Sequence, residues 1–407
     1  MRSSNRAWAF KLLTTALMSA AAAGRACAQD VPIVFFGETQ LRYEGAENDV
    51  SPQRADGVTQ AIRAGLETNL TKGLSFLAEG EFVYAIVDDF NDGTGNNPTR
   101  PVIPNPDTFE LNRIQLQATL SENAFVTIGR QIIALDDQRF IGPARFRQNN
   151  QTFDGVHFSY RAGDRATIQA GYFNQVNRIL GGDNVNGRFE GDSYFINTSI
   201  RTPVGRLGAF HYALDLETGP AGARNNRFSS KTTGVRLEGR HHRDVVGLDW
   251  VASYARQSDF ADNPNDYSAD YWLAGATGYF GALQAGFQYE SLGAGEGDAF
   301  QTPGGTRRKF QGLADLFLVT PADGVDDYNV SAGLNFLELG AFSGVSALIR
   351  HHWFRAERGG SNYGTEIDLI VKAKFEGIDW SFGFAHYSAN NFATDTDRVF
   401  VNITKRF

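Results

Sequence analysis

A period of two runs through this chain and limits what it can fold into. Phe35, Gly37, Thr39, Leu41 and Tyr43 alternate with Phe36, Glu38, Gln40, Arg42 and Glu44, which gives the segment one apolar and one polar face. The pattern returns in Ile62, Ala64 and Leu66 against Arg63, Gly65 and Glu67, and in Leu74, Phe76, Ala78, Gly80 and Phe82 against Ser75, Leu77, Glu79 and Glu81. Similar segments follow up to residues 397–407. Most run about ten residues, the length a tilted strand needs to cross a bilayer. Tight connections such as 121–123, 203–205 and 376–377 alternate with long polar ones such as 88–107, 176–191, 218–229 and 292–307. A soluble β-sandwich would place polar residues on its outer positions; here the apolar parity carries Phe, Tyr, Trp, Leu and Val, and the other holds much of the charge. The prediction is an all-β fold, a transmembrane antiparallel β-barrel with short periplasmic turns and long extracellular loops. A supply of 44 Gly and 32 Phe beside 2 Met fits a sheet with a greasy and a wet face better than a helical bundle.

A first count gives about nineteen strands, whereas a barrel with both ends in the periplasm has an even number. Within Lys309 to Leu318, Phe310, Leu313, Ala314 and Phe317 fall at helical spacing, so this segment is predicted as a short helix and not as wall. About 18 strands remain, enough to enclose an aqueous channel. Residues 293–325 become one long loop that carries the helix toward the lumen.

Residues 1–28 read as a signal peptide: Arg2, Arg6 and Lys11 precede an apolar stretch, and Ala26-Cys27-Ala28 fits a small-x-small cleavage site. The mature barrel is then 29–407, in the outer membrane of a Gram-negative cell. Its removal takes away four positive charges and the only cysteine, moving the formal net charge from -8 to -12 and excluding thiol chemistry. So acidic a chain is not expected to bind nucleic acid. The expected partners are outer-membrane lipid and lipopolysaccharide, with the barrel assembly machinery reading the terminal Phe407. No cofactor or metal is expected. The loop Asp88-Asp89-Phe90-Asn91-Asp92-Gly93 lacks the full calcium-loop pattern, and His241-His242 and His351-His352 are adjacent pairs that point to opposite faces of a strand.

The densest polar stretch lies between Gly129 and Asp154. Alternation puts Arg130 with Val126 and Ile128, and Asp154 with Val156 and Phe158, on the lipid parity, where a charge is costly. A bulge at the neighbouring Gly129 and Gly155 would re-aim both inward. Arg113, Arg130 and Asp154 are then predicted to meet at mid-height on three adjacent strands. The loop 134–150 above them, predicted to constrict the pore, adds Arg139, Arg145 and Arg147 with Asp136 and Asp137, a mixture that holds an anion without trapping it. Arg236, Arg240, Lys372 and Lys374 extend the basic lining, among acids such as Glu38, Glu79, Glu81, Glu290, Glu366 and Asp368.

Gly129-Arg130-Gln131, Leu135-Asp136-Asp137-Gln138-Arg139-Phe140-Ile141-Gly142 and Arg147-Gln148-Asn149-Asn150-Gln151-Thr152-Phe153-Asp154 together resemble the signature of the alginate export family of outer-membrane porins. So does Lys309-Phe310-Gln311-Gly312-Leu313-Ala314-Asp315-Leu316-Phe317 followed by Thr320-Pro321 and Gly324. The resemblance implies an 18-stranded monomeric barrel with an arginine-lined conduit through which an anionic oligo- or polysaccharide passes outward passively. The acids on the lumen parity depart from that family's positive pore. Two other readings stay open. One is a general porin for uptake of small anionic or sugar solutes. The other is an outer-membrane lipid or glycan hydrolase, resting on the spacing of His157 and Ser159 or on Glu79 and Glu81; lumen parity turns His157 and Ser159 away from lipid, so the first expectation is a channel and not an enzyme.

Overall fold

The alternating segments form eighteen antiparallel strands in the computed structural model, which describes residues 32–220 and 225–407. In chain order they are β1 (Ile33–Asn48), β2 (Ala55–Thr71), β3 (Leu74–Asp89), β4 (Thr108–Ser121), β5 (Ala124–Gln131), β6 (Thr152–Ala162), β7 (Ala166–Asn177), β8 (Arg188–Thr202) and β9 (Gly205–Leu214). The second half continues with β10 (Ser230–Arg243), β11 (Val246–Asp259), β12 (Ser268–Phe280), β13 (Leu283–Leu292), β14 (Val325–Leu339), β15 (Phe342–Arg355), β16 (Asn362–Phe375), β17 (Ile378–Ala389) and β18 (Thr396–Arg406). Each strand pairs with its neighbours in sequence, and β1 pairs with both β2 and β18, so the sheet closes and leaves no free edge. At the seam, Gly37 and Phe407 exchange backbone hydrogen bonds of 2.8 and 3.0 Å. The predicted signal peptide lies outside the described residues.

The alternation sorts side chains as expected. In β15, Ile349 and Trp353 are 51 and 41% exposed on the outer surface, while His352 and Phe354 on the other parity are fully buried. Connections at the periplasmic end, such as 72–73, 244–245 and 376–377, are two-residue turns; those at the outer end include 90–107, 132–151, 215–229 and 293–324.

Two of the outer loops turn into the barrel. Ile133, Leu135 and Ile141 from the 132–151 loop and Phe300, Ala314 and Phe317 from the 293–324 loop share one apolar cluster with the wall residues Phe153, Phe173, Phe210, Tyr271 and Phe354. Phe140 is packed among Phe210 at 5.2 Å, Tyr271 at 5.3 Å and Phe300 at 5.9 Å. The helix predicted over 309–318 does not form. The described residues contain a single 3₁₀ turn at Arg307–Lys309, and positive φ at Gly312 (76°) and Asp315 (64°) breaks the chain beyond it. Phe310, Ala314 and Phe317 are buried as their spacing implies, but as contacts of an irregular segment: Phe317 lies 4.4 Å from Phe354 and 5.0 Å from Phe392.

Candidate pore site

The two inward loops are knitted to each other by their backbones. Gly142 N donates to Gly304 O (3.0 Å), Thr306 N to Gln138 O (2.9 Å), and Gln151 bridges Gly142 O and Gly304 O at 2.8 and 2.7 Å. Glycine is required at 305, where a Cβ would lie 2.1 Å from Arg139 O. The wall grips the 132–151 loop as well: Arg63 of β2 donates to Gln148 O, and Gln148 Nε2 donates to Thr59 Oγ1 at 2.9 Å.

These contacts consume two of the three arginines predicted to form an anion ladder in this loop. Arg139 is buried with Nε 2.8 Å from Glu290 of β13, donates to Gln311 at 2.8 Å, and lies 4.5 Å from the Phe310 ring centroid. Arg147 joins Arg308, Arg42 of β1 and Arg398 of β18 around two carboxylates, Glu44 and Asp315. Glu44 lies 3.1 Å from Arg42, 3.4 Å from Arg147 and Arg308, and 3.0 Å from Arg398. Asp315 bonds Arg147 and Arg308 directly and lies 3.8 Å from Arg398. The Phe146 ring is sandwiched in this cluster, with Arg42 at 3.7 Å and Arg308 at 3.9 Å from its centroid. Burial lowers the Arg308 pKa to about 10, against Asp315 and Glu44, which raise it. For Asp315, burial alone would raise the carboxyl, but Arg308, Arg147 and Arg398 outweigh it and hold the group below its ordinary range. Sequence reasoning gave Arg308 no role and met Asp315 only inside the 309–317 run, without a charge partner.

Arg130 and Asp154 meet as predicted, through a two-pronged contact of 2.7 and 2.8 Å between directly opposed positions of β5 and β6. Their surroundings differ from the prediction. The β5–β6 register is unbroken at Gly129 and Gly155, so the pair keeps the parity of Ile128 and Val156, which are 54 and 38% exposed on the outer surface. The register shifts fall elsewhere, on β4 between Leu111 and Arg113 and on β7 between Phe173 and Gln175. The pair is neutralised sideways: Asp154 also accepts from Asn177 (2.9 Å) and Gln175 (3.3 Å), and Arg130 donates to Leu111 O (3.1 Å). Arg113 does not join them. The shift at Asn112 turns both Asn112 and Arg113 onto Glu79, at 2.5 and 2.6 Å.

Of the other residues predicted to line the pore, Arg236 is paired with Asp137 at 2.8 Å and Lys374 with Asp379 at 3.3 Å. Asp136 accepts from Asn197 at 2.6 Å, and burial raises its carboxyl pKa against that bond and Arg236. Arg145, Arg240 and Lys372 are among the cations that make no ion pair with a described residue, as is Arg350 beside them, with a buried Nε lacking a partner. Burial lowers the Arg145 pKa; Glu38 opposes this, and Arg113 and Arg63 add to it, so the side chain stands among mixed charge. Arg240 and Arg350 line a cavity of about 740 Å³ together with Arg206, Gln288, Asn329 and Ser331. The hydrolase candidates are engaged in structure. His157 packs 5.5 Å from Phe195, Glu79 holds Arg113, and Glu81 bonds Arg63.

No known family profile and no curated protein matches the sequence. Solved structures do share its fold. The crystal structure of Acinetobacter baumannii OccAB4 has a TM-score of 0.70 at 16% identity, covering 93% of this chain and 99% of that one. Pseudomonas aeruginosa OpdO gives 0.68 at 15% identity over 93 and 98%. Pseudomonas aeruginosa OpdK, solved with vanillate, gives 0.67 at 13% over 92 and 98%. The resemblance to the alginate export family is thereby corrected: the structural neighbours are Occ and Opd outer-membrane channels, and the arginines that carried the resemblance are largely spent on holding loops in place. At these identities the likeness establishes the fold, a closed 18-stranded outer-membrane barrel.

Proposed function

We propose that the chain is an outer-membrane channel through which small anionic solutes, simple carboxylates foremost, diffuse passively into the cell. The observation that carries this reading is the division among the arginines. Arg139 and Arg147 are locked in buried ion pairs, whereas Arg145, Arg240 and Arg350 carry no ion pair. A cation already matched to a carboxylate offers a passing anion little; an unmatched one offers attraction that water weakens but does not abolish. Loops 132–151 and 293–324, bonded across the lumen, narrow the pore in this reading, which favours compact solutes over polymers. The fold neighbour OpdK was crystallised with vanillate, a single-ring carboxylate, which is in keeping with this size class. The expected lipid setting is the outer membrane.

Planar-bilayer recording under a KCl gradient tests the reading. The native channel is expected to prefer anions and to show brief current interruptions when benzoate is added. An Arg145→Ala, Arg240→Ala, Arg350→Ala variant is expected to lose most of both effects. A variant whose reversal potential matches the native one would overturn the proposal.

A further inference from the structure

A second constellation lies on the outside of the barrel, away from the pore. His386 and Ser388 of β17 are two residues apart and so share one face of the strand. Ser388 Oγ is 3.1 Å from His386 Nε2, and His386 Nδ1 is 2.8 Å from Asp397 Oδ1. Asp397, on β18, is the direct cross-strand partner of His386. A hydroxyl, an imidazole and a carboxylate are thus linked in series, with the imidazole nitrogens facing the two oxygens in the order a serine hydrolase uses.

The face they share is the outer one. Trp380 and Phe384, on the same parity of β17, are 39 and 36% exposed, while Ala385 and Tyr387 on the other parity are fully buried. The His386 and Asp397 side chains are 45 and 56% exposed, so substrate can reach them. β17 ends at Ala389 at the outer end of the barrel, which puts Ser388 one residue below the 390–395 loop. Across the sheet Ser388 opposes Thr365, Thr365 opposes Trp353, Trp353 opposes Tyr328 and Tyr328 opposes Tyr289. Such amphipathic rings gather where a bilayer meets water. The serine therefore stands near the depth of lipid ester groups in the outer leaflet. A second exposed His–Asp pair of the wall, His242 with Asp249 at 2.7 Å, lies 5.1 Å from the Tyr279 ring and has no serine against its imidazole among the described residues.

We propose that Ser388, His386 and Asp397 form an acyl-ester hydrolase site on the outer surface of this channel, acting on the carboxylic esters of outer-leaflet lipids. Asp397 holds the His386 proton on Nδ1, leaving the Nε2 lone pair for Ser388. As Ser388 Oγ bonds to the ester carbonyl carbon, its proton passes to Nε2. The bond from that carbon to the alcohol oxygen then breaks, and Nε2 returns the proton to the leaving alcohol. Water attacks the acyl-serine in turn, giving a proton to Nε2; the carbon–Oγ bond breaks, Oγ recovers the proton and the fatty acid leaves. Thr365, directly opposed to Ser388, brings a hydroxyl to the same face to donate to the carbonyl oxygen as it gains charge.

The test uses the folded full-length barrel, first with a fluorophosphonate probe and peptide mass spectrometry, then with measurement of fatty-acid release from vesicles. The expected result is an adduct on Ser388 that is lost in His386→Ala. Release is expected to be lost in Ser388→Ala, falling to that of vesicles alone, while its single-channel conductance, which does not involve this face, stays native and certifies the fold. Asp397→Asn is expected to lower kcat with little change in KM. Release from phosphatidylethanolamine vesicles would assign glycerophospholipid as substrate; release confined to lipopolysaccharide would assign its acyl esters. Absence of both adduct and release in a conducting native protein, or release that survives Ser388→Ala, overturns the proposal.

Discussion

Arg130 shows how a charge on the outer parity of a membrane wall is made tolerable. Its guanidinium matches both oxygens of Asp154, and the remaining donors and acceptors find Leu111 O, Gln175 and Asn177. Removing one partner leaves the other with no counter-charge in a poorly hydrated position, a change that costs about 3 kcal/mol. Arg130→Ala is therefore expected to lower the temperature at which the barrel loses its compact form in detergent gels. Arg130→Ala with Asp154→Ala is expected to recover most of that loss, and neither is expected to move the reversal potential; a selectivity change in either would return the pair to the pore. The encounter of Arg130 with Asp154 was legible in the sequence, because the two stand at similar heights above their periplasmic turns on neighbouring strands. The partner of Arg113 was not: the register shift at Asn112 has no glycine or proline on its own strand to mark it, and it turned Arg113 to Glu79. His386 and Ser388 repeat the spacing of His157 and Ser159, and what separates the two pairs is which side of the wall their parity faces.

At the scale of elements, the strands were readable since each needs only its own alternation, and the loops were not since their partners are remote. Arg147 meets Asp315 across 168 residues, and nothing near either position signals it. The apolar spacing at 310–317 was real, but it served packing against Phe354 and Phe392 in place of a helix. Asp315 is the point at which this docking should respond to acid. A carboxyl whose folded-state pKa is depressed contributes stability above its unfolded value, about 3.9, and loses it as pH falls through the folded value. Loop docking through Asp315 is thus expected to be intact from neutral pH down to about pH 4 and to weaken only below that. Asp315→Asn is expected to leave the four surrounding arginines under-compensated and to give larger, noisier single-channel currents at pH 7; quiet currents of native size would refute this.

The whole molecule is a wall built from neighbours in sequence and a filling built from strangers. Its closing seam brings together distant residues such as Glu44 of β1 and Arg398 of β18, which are 354 residues apart. Contacts of such separation form late in folding. Arg398→Ala is expected to slow the appearance of the heat-resistant, fast-migrating form during refolding into detergent, with a smaller effect on the final conductance. The same cluster includes Arg147, Arg308 and Asp315 from the inward loops. An order of events follows. The loops have no complete counter-charge to settle on until the first and last strands have met, so they are expected to dock inside the barrel only when the wall is whole.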